Sequence, residues 1–393
     1  FFALFKAGAV PVLIDPGIGI KSLKSCLANA QPDAFIGVSK AHIASKLLGW
    51  VPNAKRVTSG PKLGWGGLGI KQLRKLGQKT SGAVLADTQA DEMAALLFTS
   101  GSTGTPKGVI YRHRHFIAQV KMLQSAFNIR PGELDLPTFP PFALFDPALG
   151  MTTVVPLMDP IRPAKADPDL LVQTIRRFEV TNIFGSPALL NVLGRYTGLK
   201  NIHLSSVRRV ISAGAAMPIE TIRRLQKSLP ADAEIFTPYG ATECLPVASI
   251  SATELNQEVE QRTAAGEGTC IGRPVAGNRV KIIPVTDSIL MTFEDSVELP
   301  VGISGEIVVY GPTTTDAYWQ RGEQTRLAKI SGPDGKVWHR MGDVGYFDTD
   351  GRLWYCGRKS QRVVSKLETL YPDQVEAIFN IHPEVARTAL VGV

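Results

Sequence analysis

The chain has 393 residues, of which 44% are hydrophobic and 20% charged, and its formal net charge is +8 with a sequence pI near 9.3. Such a length and composition predict a globular protein with a large core and more than one domain, and exclude a disordered or collagen-like chain. The basic balance alone would suit nucleic acid or an anionic membrane surface, but the lysines and arginines are scattered, without any nucleic-acid-binding signature. No apolar run reaches the roughly 18 residues of a spanning helix, so no transmembrane segment is expected. A basic protein handling anionic nucleotides and carboxylates is the simpler reading. Cys26, Cys244, Cys270 and Cys356 are far apart and lack metal or redox spacing, which predicts four reduced core residues and a cytoplasmic location. The opening on Phe1-Phe2, without Met, reads as a fragment whose first segment is missing.

In chain order, residues 1–15 predict a helix end broken at Ala7-Gly8 and then a buried strand over 10–14, stopped by Pro16-Gly17. A helix is expected over 22–30 and a strand over 34–38, and this βα alternation favours a parallel, helix-covered sheet. Residues 52–70, with five glycines, read as a surface loop. The apolar run 94–98 then leads into Thr99-Ser-Gly-Ser-Thr-Gly-Thr-Pro-Lys-Gly108, and a second apolar run, 109–111, follows, giving strand, tight loop, strand. Glycines let backbone N–H groups close on an anion, hydroxyls add donors and Lys107 adds a point charge, so the loop suits a polyphosphate. It is not a Walker loop, because Pro106 precedes Lys107 and Gly108 follows it.

Past the loop, Phe116, Val120, Leu123 and Phe127 share one helical face and read as core. Residues 139–145, Phe-Pro-Pro-Phe-Ala-Leu-Phe, form a rigid aromatic turn suited to a pocket wall. A helix over 170–178, a strand over 182–184 and a strand over 210–212 follow, the last ending in the small-residue turn 213–216. A helix starts at Met217-Pro218, and a strand over 235–239 runs into Gly240-Ala-Thr-Glu243. From about residue 268 the texture is β-rich, at 280–283, 305–310, 345–347 and 353–356, with a hairpin turn at Asp348-Thr-Asp-Gly351. The character changes after Gly357.

Three further clusters carry chemistry. Tyr239-Gly-Ala-Thr-Glu243 offers an aromatic face for a purine and a carboxylate for Mg²⁺ beside phosphates. Met341-Gly-Asp343 reads as a strand end bearing an isolated acid, suited to two ribose hydroxyls, and Arg358 sits where the composition shifts. Taken together and in this order, these motifs resemble the adenylate-forming superfamily of acyl-CoA synthetases, luciferases and peptide-synthetase adenylation domains. Residues 305–319 resemble that family's Gly-Glu…Tyr-Trp segment, 340–343 its Arg-x-Gly-Asp, and 4–16 an early motif. The resemblance implies an α/β fold. It comprises a large N-terminal adenylation domain of helix-covered parallel sheets with a β-rich subdomain (1–356, lacking its first segment). A hinge and the start of a small, mobile α+β C-terminal domain follow (357–393, incomplete).

The same resemblance implies ATP and Mg²⁺ and distributes roles among the residues. Thr99, Ser100, Gly101, Ser102, Thr103, Gly104, Thr105 and Lys107 would hold the β- and γ-phosphates. Tyr239 and Gly240 would lie against adenine beside Gly214, Ala215 and Ala216. Thr242 would contact the α-phosphate, Glu243 the Mg²⁺, and Asp343 and Arg358 the ribose. Lys107, Thr242 and Glu243 are the expected catalytic groups for attack of a carboxylate on the α-phosphorus, and Phe142, Ala143 and Phe145 the expected substrate pocket.

Three positions depart from the acyl-CoA ligases within that family. Ala143 stands where many carry His, Ser360 where the hinge residue is usually Asp or Lys, and Leu367 where a Gly lets a loop approach the pantetheine arm. The wording of residues 1–16, 111–116 and 140–147 resembles one branch, the OleC-type β-lactone synthetases of bacterial olefin synthesis. That branch implies a long-chain β-hydroxy acid whose hydroxyl attacks its own adenylated carbonyl. It also implies pathway neighbours, a thiolase-like condensing enzyme and a β-lactone decarboxylase. A fatty acyl-CoA ligase and a nucleotide-binding pseudoenzyme are the alternatives. His113 and His115 are candidate bases for the hydroxyl, with structural roles the commoner reading for such residues.

Overall fold

A computed structural model describes residues 1–80, 82, 85–99, 106–332 and 335–392. They fall into two units, Phe1–Arg114 with Thr315–Thr325, and His115–Thr314 with Arg326–Val393.

In the first unit, β1 (Val12–Leu13) runs parallel to β2 (Met93–Phe98), which pairs antiparallel with β3 (Gly108–Arg112). Helix α1 (Ile20–Ala30) contributes Cys26 to a cluster with Leu96 and Phe98. The strand expected at 10–14 is shorter and only half-buried, because it is the edge of a three-stranded sheet. The surface loop expected over 52–70 is also corrected. Lys55–Ser59 and Leu68–Gly69 are strands that extend Ala34–Val38 into a second, parallel sheet. One glycine between them serves close approach: a Cβ on Gly67, at φ +72°, would sit 2.1 Å from the Arg56 carbonyl oxygen.

The second unit holds a seven-stranded sheet. Its strands β4 (Leu134–Pro137), β5 (Asn182–Gly185), β6 (Arg209–Ser212) and β7 (Glu234–Ala241) run parallel, with Thr152–Thr153 beyond β4. The strand β8 (Cys244–Ser251) returns antiparallel to β7. Every residue of β5 and β6 is buried, as expected of parallel strands covered on both faces. Helix α2 (His113–Phe127) packs Leu123 and Phe127 against Phe184 and Ile211, as its apolar face predicts. The short α3 (Asp146–Leu149) follows the aromatic turn. The capping Asp167 starts α4 (Pro168–Phe178) by accepting from the Asp169 N–H at 2.9 Å, with Pro168 in the first turn. Helix α5 (Pro187–Lys200) was not anticipated. Its start signal, Ser186 capping and Pro187 following, is hidden in the Gly185-Ser-Pro turn that ends β5. Leu171, Ile175, Leu189, Leu193 and Leu225 from α4, α5 and α6 (Ile219–Gln226) join Leu136, Ile183, Val210 and Ile235 in the main core.

The β-rich part is an antiparallel sheet of β9 (Arg279–Ile283), β10 (Gly305–Tyr310), β11 (Val337–Phe347) and β12 (Leu353–Arg358). Asp348-Thr-Asp-Gly351 joins β11 to β12 as expected. Asp343, however, does not end a strand: β11 continues past it through Phe347. Helix α7 (Pro372–Asn380) closes the described chain, and all four cysteines are buried and free.

Arg209 on β6 donates to Glu133 at 2.6 Å, and both side chains are less than a tenth exposed. Arg209→Met, which strands the buried Glu133 charge, should lower unfolding stability by about 3–5 kcal/mol, and adding Glu133→Gln should recover much of the loss. Urea titration of the two variants checks this, and equal stability of Arg209→Met and wild type would contradict it.

Candidate active site

The parallel strands of the second unit bring three of the expected motifs to one end of the sheet. Residues 139–145 follow the carboxyl end of β4, the turn 213–216 follows β6, and Tyr239 lies near the end of β7. In register, Ile211 stands beside Phe236, so the turn after β6 lies beside the end of β7 that carries Tyr239. Ligand crevices of open α/β sheets form outside the carboxyl ends of the strands. Gly214 has φ +95° and, with Ala215 and Ala216, is exposed in that turn.

Tyr239-Gly-Ala-Thr-Glu243 is the β7–β8 hairpin itself, with Thr242 and Glu243 at its tip. Gly240 sits at a bulge where an added Cβ would come within 2.8 Å of Leu245 Cβ, so its glycine is required by the hairpin. The Tyr239 hydroxyl donates to Asp343 Oδ2 at 2.5 Å. Asp343 on β11 stands across from Arg358 on β12, and the guanidinium reaches Asp343 Oδ1 at 2.9 Å. Glu243, buried at 9% exposure, acts electrostatically on both Asp343 and Arg358. Four expected site residues, Tyr239, Glu243, Asp343 and Arg358, are therefore one constellation.

Burial pushes the Asp343 carboxyl up to about 6, against the pull of Arg358 and of the Tyr239 hydroxyl and with a further push from Glu243. Burial likewise raises the Tyr239 phenol well above its ordinary range, reinforced by Asp343. Two residues that sequence reasoning missed join the group. The Tyr355 ring lies 6.2 Å from that of Tyr239. Asp373, at the start of α7, accepts from Thr269 Oγ1 at 3.3 Å, and burial raises its carboxyl to about 6. Tyr355 sits in the alternating run Leu353-Trp-Tyr-Cys356, which signals a strand and nothing more, and Asp373 reads as an ordinary first-turn acid.

The turn after β12 is tied down beside this group. Lys359 Nζ reaches Glu306 Oε1 at 3.1 Å and the Thr286 carbonyl at 2.9 Å, while Arg340 Nη2 holds Glu306 Oε2 at 2.6 Å. Ser360 lies in the short turn that follows. Leu367 is 95% exposed at the tip between Val363–Val364 and Thr369–Leu370.

In the aromatic turn, the Phe142 ring stacks on Phe184 at 3.7 Å, and Phe145 lies 6.1 Å from Phe142 and 6.2 Å from Phe116. Ala143 is half-buried between them.

In the first unit, residues 100–105 of the loop expected to hold a polyphosphate lie outside the described residues. The Thr99 N–H donates to the Lys107 carbonyl at 3.0 Å, closing the loop's ends. Lys107 Nζ lies 4.9 Å from the centre of the Tyr318 ring, and the Trp319 N–H donates to the Gly108 carbonyl at 2.7 Å. The Tyr-Trp pair thus braces the strand that leaves the loop. Arg112 and Arg114 both bind Asp316 at 2.7 Å and secure the same segment. His113 packs edge-on to Phe5 at 5.4 Å, and His115 is fully buried. These are structural settings for both histidines.

Among the described residues, no cluster of three or more His, Cys, Asp or Glu suits a metal ion, and no helix is long and apolar enough to cross a membrane. A single carboxylate, Glu243, does fit Mg²⁺, which is commonly held by one or two carboxylates and the substrate's phosphates.

The profile of a family described as AMP-binding enzyme matches residues 1–319. The olefin beta-lactone synthetase of Xanthomonas campestris pv. campestris is 54% identical, over all of this chain and 70% of that protein. The olefin beta-lactone synthetase of Stenotrophomonas maltophilia is 55% identical, over all of this chain and 71% of that one. The amide bond synthetase McbA from Marinactinospora thermotolerans has the same fold, with a TM-score of 0.79 at 24% identity, over 100% of this chain and 72% of that one.

Asp343 should titrate near 6 when its carboxyl is followed by ¹³C NMR. Arg358→Ala and Tyr239→Phe each remove a group that favours the ionised form, so each should raise that value. A downward shift in either variant would overturn the account of this carboxyl.

Proposed function

The chain belongs to the AMP-binding enzyme family, and on that premise we propose that it is an ATP-dependent β-lactone synthetase acting on long-chain β-hydroxy acids. The observation that carries this reading is the 54–55% identity, along the whole chain, to two proteins named olefin beta-lactone synthetase. In the first half-reaction a carboxylate oxygen of the 2-alkyl-3-hydroxy acid attacks the α-phosphorus of ATP and the bond to pyrophosphate breaks. In the second, the β-hydroxyl oxygen attacks the acyl carbonyl carbon, the bond to AMP breaks, and the hydroxyl proton is released as the four-membered ring closes. Neither step uses a protein nucleophile, so positioning and charge neutralisation carry the rate.

The roles assigned to the residues are part of this proposal. Residues 99–105 and Lys107 hold the β- and γ-phosphates. Tyr239 lies along adenine beside Gly214, Ala215 and Ala216, and Thr242 meets the α-phosphate. Asp343 accepts from ribose hydroxyls while Arg358 keeps its charge compensated. Glu243 is the carboxylate that would hold Mg²⁺, which when bound neutralises phosphate charge. Residues 357–393 are the hinge and the beginning of a mobile C-terminal domain, and Lys359 with Glu306 is its fixed point in this pose.

The acceptor is argued from three positions. Leu367 is held by no packing, being 95% exposed at a hairpin tip, so its bulk falls on whatever approaches that tip. Ala143 and Ser360 lack the side chains usual at those places in CoA ligases. An internal hydroxyl needs no thiol path. A thiolase-like condensing enzyme upstream and a β-lactone decarboxylase downstream are the pathway neighbours that this chemistry implies.

Full-length enzyme given ATP, Mg²⁺ and a long-chain β-hydroxy acid without CoA should yield the lactone, AMP and pyrophosphate, read by mass spectrometry. Strict dependence on CoA would sink the proposal in favour of an acyl-CoA ligase, and no pyrophosphate under any condition would favour a pseudoenzyme. Lys107→Ala should lower kcat/KM for ATP by about 10²–10³-fold with an unchanged melting temperature. Unaltered ATP kinetics would remove this lysine from the phosphate site.

A further inference from the structure

Beneath the aromatic turn runs a chain of buried polar side chains that the adenylating residues do not touch. Arg209, paired with Glu133, also donates to Asn182 Oδ1 at 3.3 Å. The Asn182 amide donates to Asp135 Oδ1. Asp135 and Asp146 then meet carboxyl to carboxyl, and Asp146 Oδ2 accepts from Thr153 Oγ1 at 2.6 Å. Asp135, Asn182 and Asp146 are all fully buried.

Each carboxyl has neutral donors on one side only: Asn182 and the Leu136 N–H for Asp135, and Thr153 for Asp146. The other oxygens, Asp135 Oδ2 and Asp146 Oδ1, are buried with no donor among the described residues. Two carboxylates in contact cannot both stay ionised out of water, and a single proton between these two oxygens satisfies both. The charged groups in this chain of contacts are Glu133 and Arg209, and Arg209 is already engaged by Glu133, so among the described residues no cation in the chain is left to neutralise the pair. Burial, with the Asp146 charge, raises Asp135 well above the carboxylate range, and burial raises Asp146 to about 6.

We propose that Asp135 and Asp146 hold one proton between them, and that this acid pair positions the acyl-pocket wall by pinning residues 142–145 to the sheet. The substrate half of this statement rests on the reading of Phe142 and Phe145 as that wall. Asp146 directly follows Phe145 and is the first residue of α3, and its carbonyl accepts from the Met151 N–H at 2.8 Å. Phe142 stacks on Phe184, two residues along β5 from Asn182. The turn is thus held at one end by ring stacking on β5 and at the other by the shared proton on Asp135 of β4, which Asn182 of β5 in turn holds. Neither aspartate need touch substrate: they are positioning residues.

The variants D146A, D146N and F142A of the full-length enzyme test this. The amide introduced by D146N donates to Asp135 Oδ2 and accepts from Thr153, replacing the proton without a net change in the pair's charge. D146A should raise KM for a long-chain β-hydroxy acid about tenfold, leave KM for ATP unchanged and speed amide hydrogen exchange over residues 139–151. D146N should restore the acid KM and slow exchange. The infrared C=O band of a protonated carboxyl, present in wild type at neutral pH, should disappear in D146N. Because the folded pair binds its proton more tightly than the unfolded chain, its hold is complete at low pH and weakens as pH rises through the raised Asp135 value. The wild-type acid KM should therefore climb with pH relative to D146N. Absence of the band in wild type, or D146N as damaging as D146A, overturns the shared proton. If D146A fails to fold, D146N and the band decide. An unchanged chain-length preference in F142A overturns the wall assignment and the substrate half of the proposal, while exchange and the band still judge the pair.

Discussion

The contact on which this site depends is the ion pair between Asp343 and Arg358 across β11 and β12. A carboxylate with 3% exposure is poorly solvated, and without a cation it would hold its proton through neutral pH. Arg358 supplies that cation, and the Tyr239 hydroxyl supplies a directed donor. One interaction thereby ties the β7–β8 hairpin of the large sheet to two strands of the antiparallel sheet. Lys359, the next residue, is anchored to Glu306, which Arg340 also holds. Two adjacent basic residues at the end of β12 are thus bound to two buried acids on neighbouring strands. The segment after them starts from a fixed point.

The two halves of the chemistry are supported by different parts of the chain. Activation of an acid needs charges and donors set around a triphosphate, and in the proposed reading Tyr239, Glu243, Asp343 and Arg358 serve that need whatever the acid is. The fate of the adenylate depends on what can reach its carbonyl carbon. That is a question of bulk and path, which the proposed reading assigns to Ala143, Ser360 and Leu367. The Leu367 N–H donates to Ser365 Oγ at 3.2 Å, while its side chain projects into solvent. A leucine so exposed costs nothing to the fold, which is why its bulk is open to a functional reading.

Much of the architecture was legible because its signals are local. Alternation and apolar runs marked β2, β5, β6 and β10, and the spacing of Leu123 and Phe127 marked α2. The misses have local causes too. The glycine-rich stretch around Gly67 concealed the strand Lys55–Ser59, because glycines that permit close approach look the same in sequence as glycines that loosen a loop. Ser186-Pro187 concealed α5, since the same dipeptide ends a strand and starts a helix. Asp343 was recognised by its motif but placed at a strand end. A bulge between Val344 and Gly345 lets the strand carry the motif mid-length, and register shifts leave no mark in composition. Tyr355 and Asp373 were invisible because their relevance is purely spatial.

The buried acids show how one cause yields opposite behaviour. Desolvation is the largest influence on Asp135, Asp146, Asp343 and Asp373, and it pushes all four toward the protonated form. What separates them is the company each keeps. Asp343 has Arg358 at 2.9 Å and a phenol at 2.5 Å, so its proton leaves near 6 and an ionised acceptor faces the site at neutral pH. Asp135 has a second carboxyl and a neutral amide, and the arginine two contacts away is already spent on Glu133. The same aspartate side chain therefore stands as an anion at Asp343, the proposed ribose acceptor, and as a hydrogen-bond donor in the proposed Asp135–Asp146 pair. The difference is set by the placement of Arg358, across the β11–β12 hairpin from Asp343, and of Arg209, which Glu133 occupies.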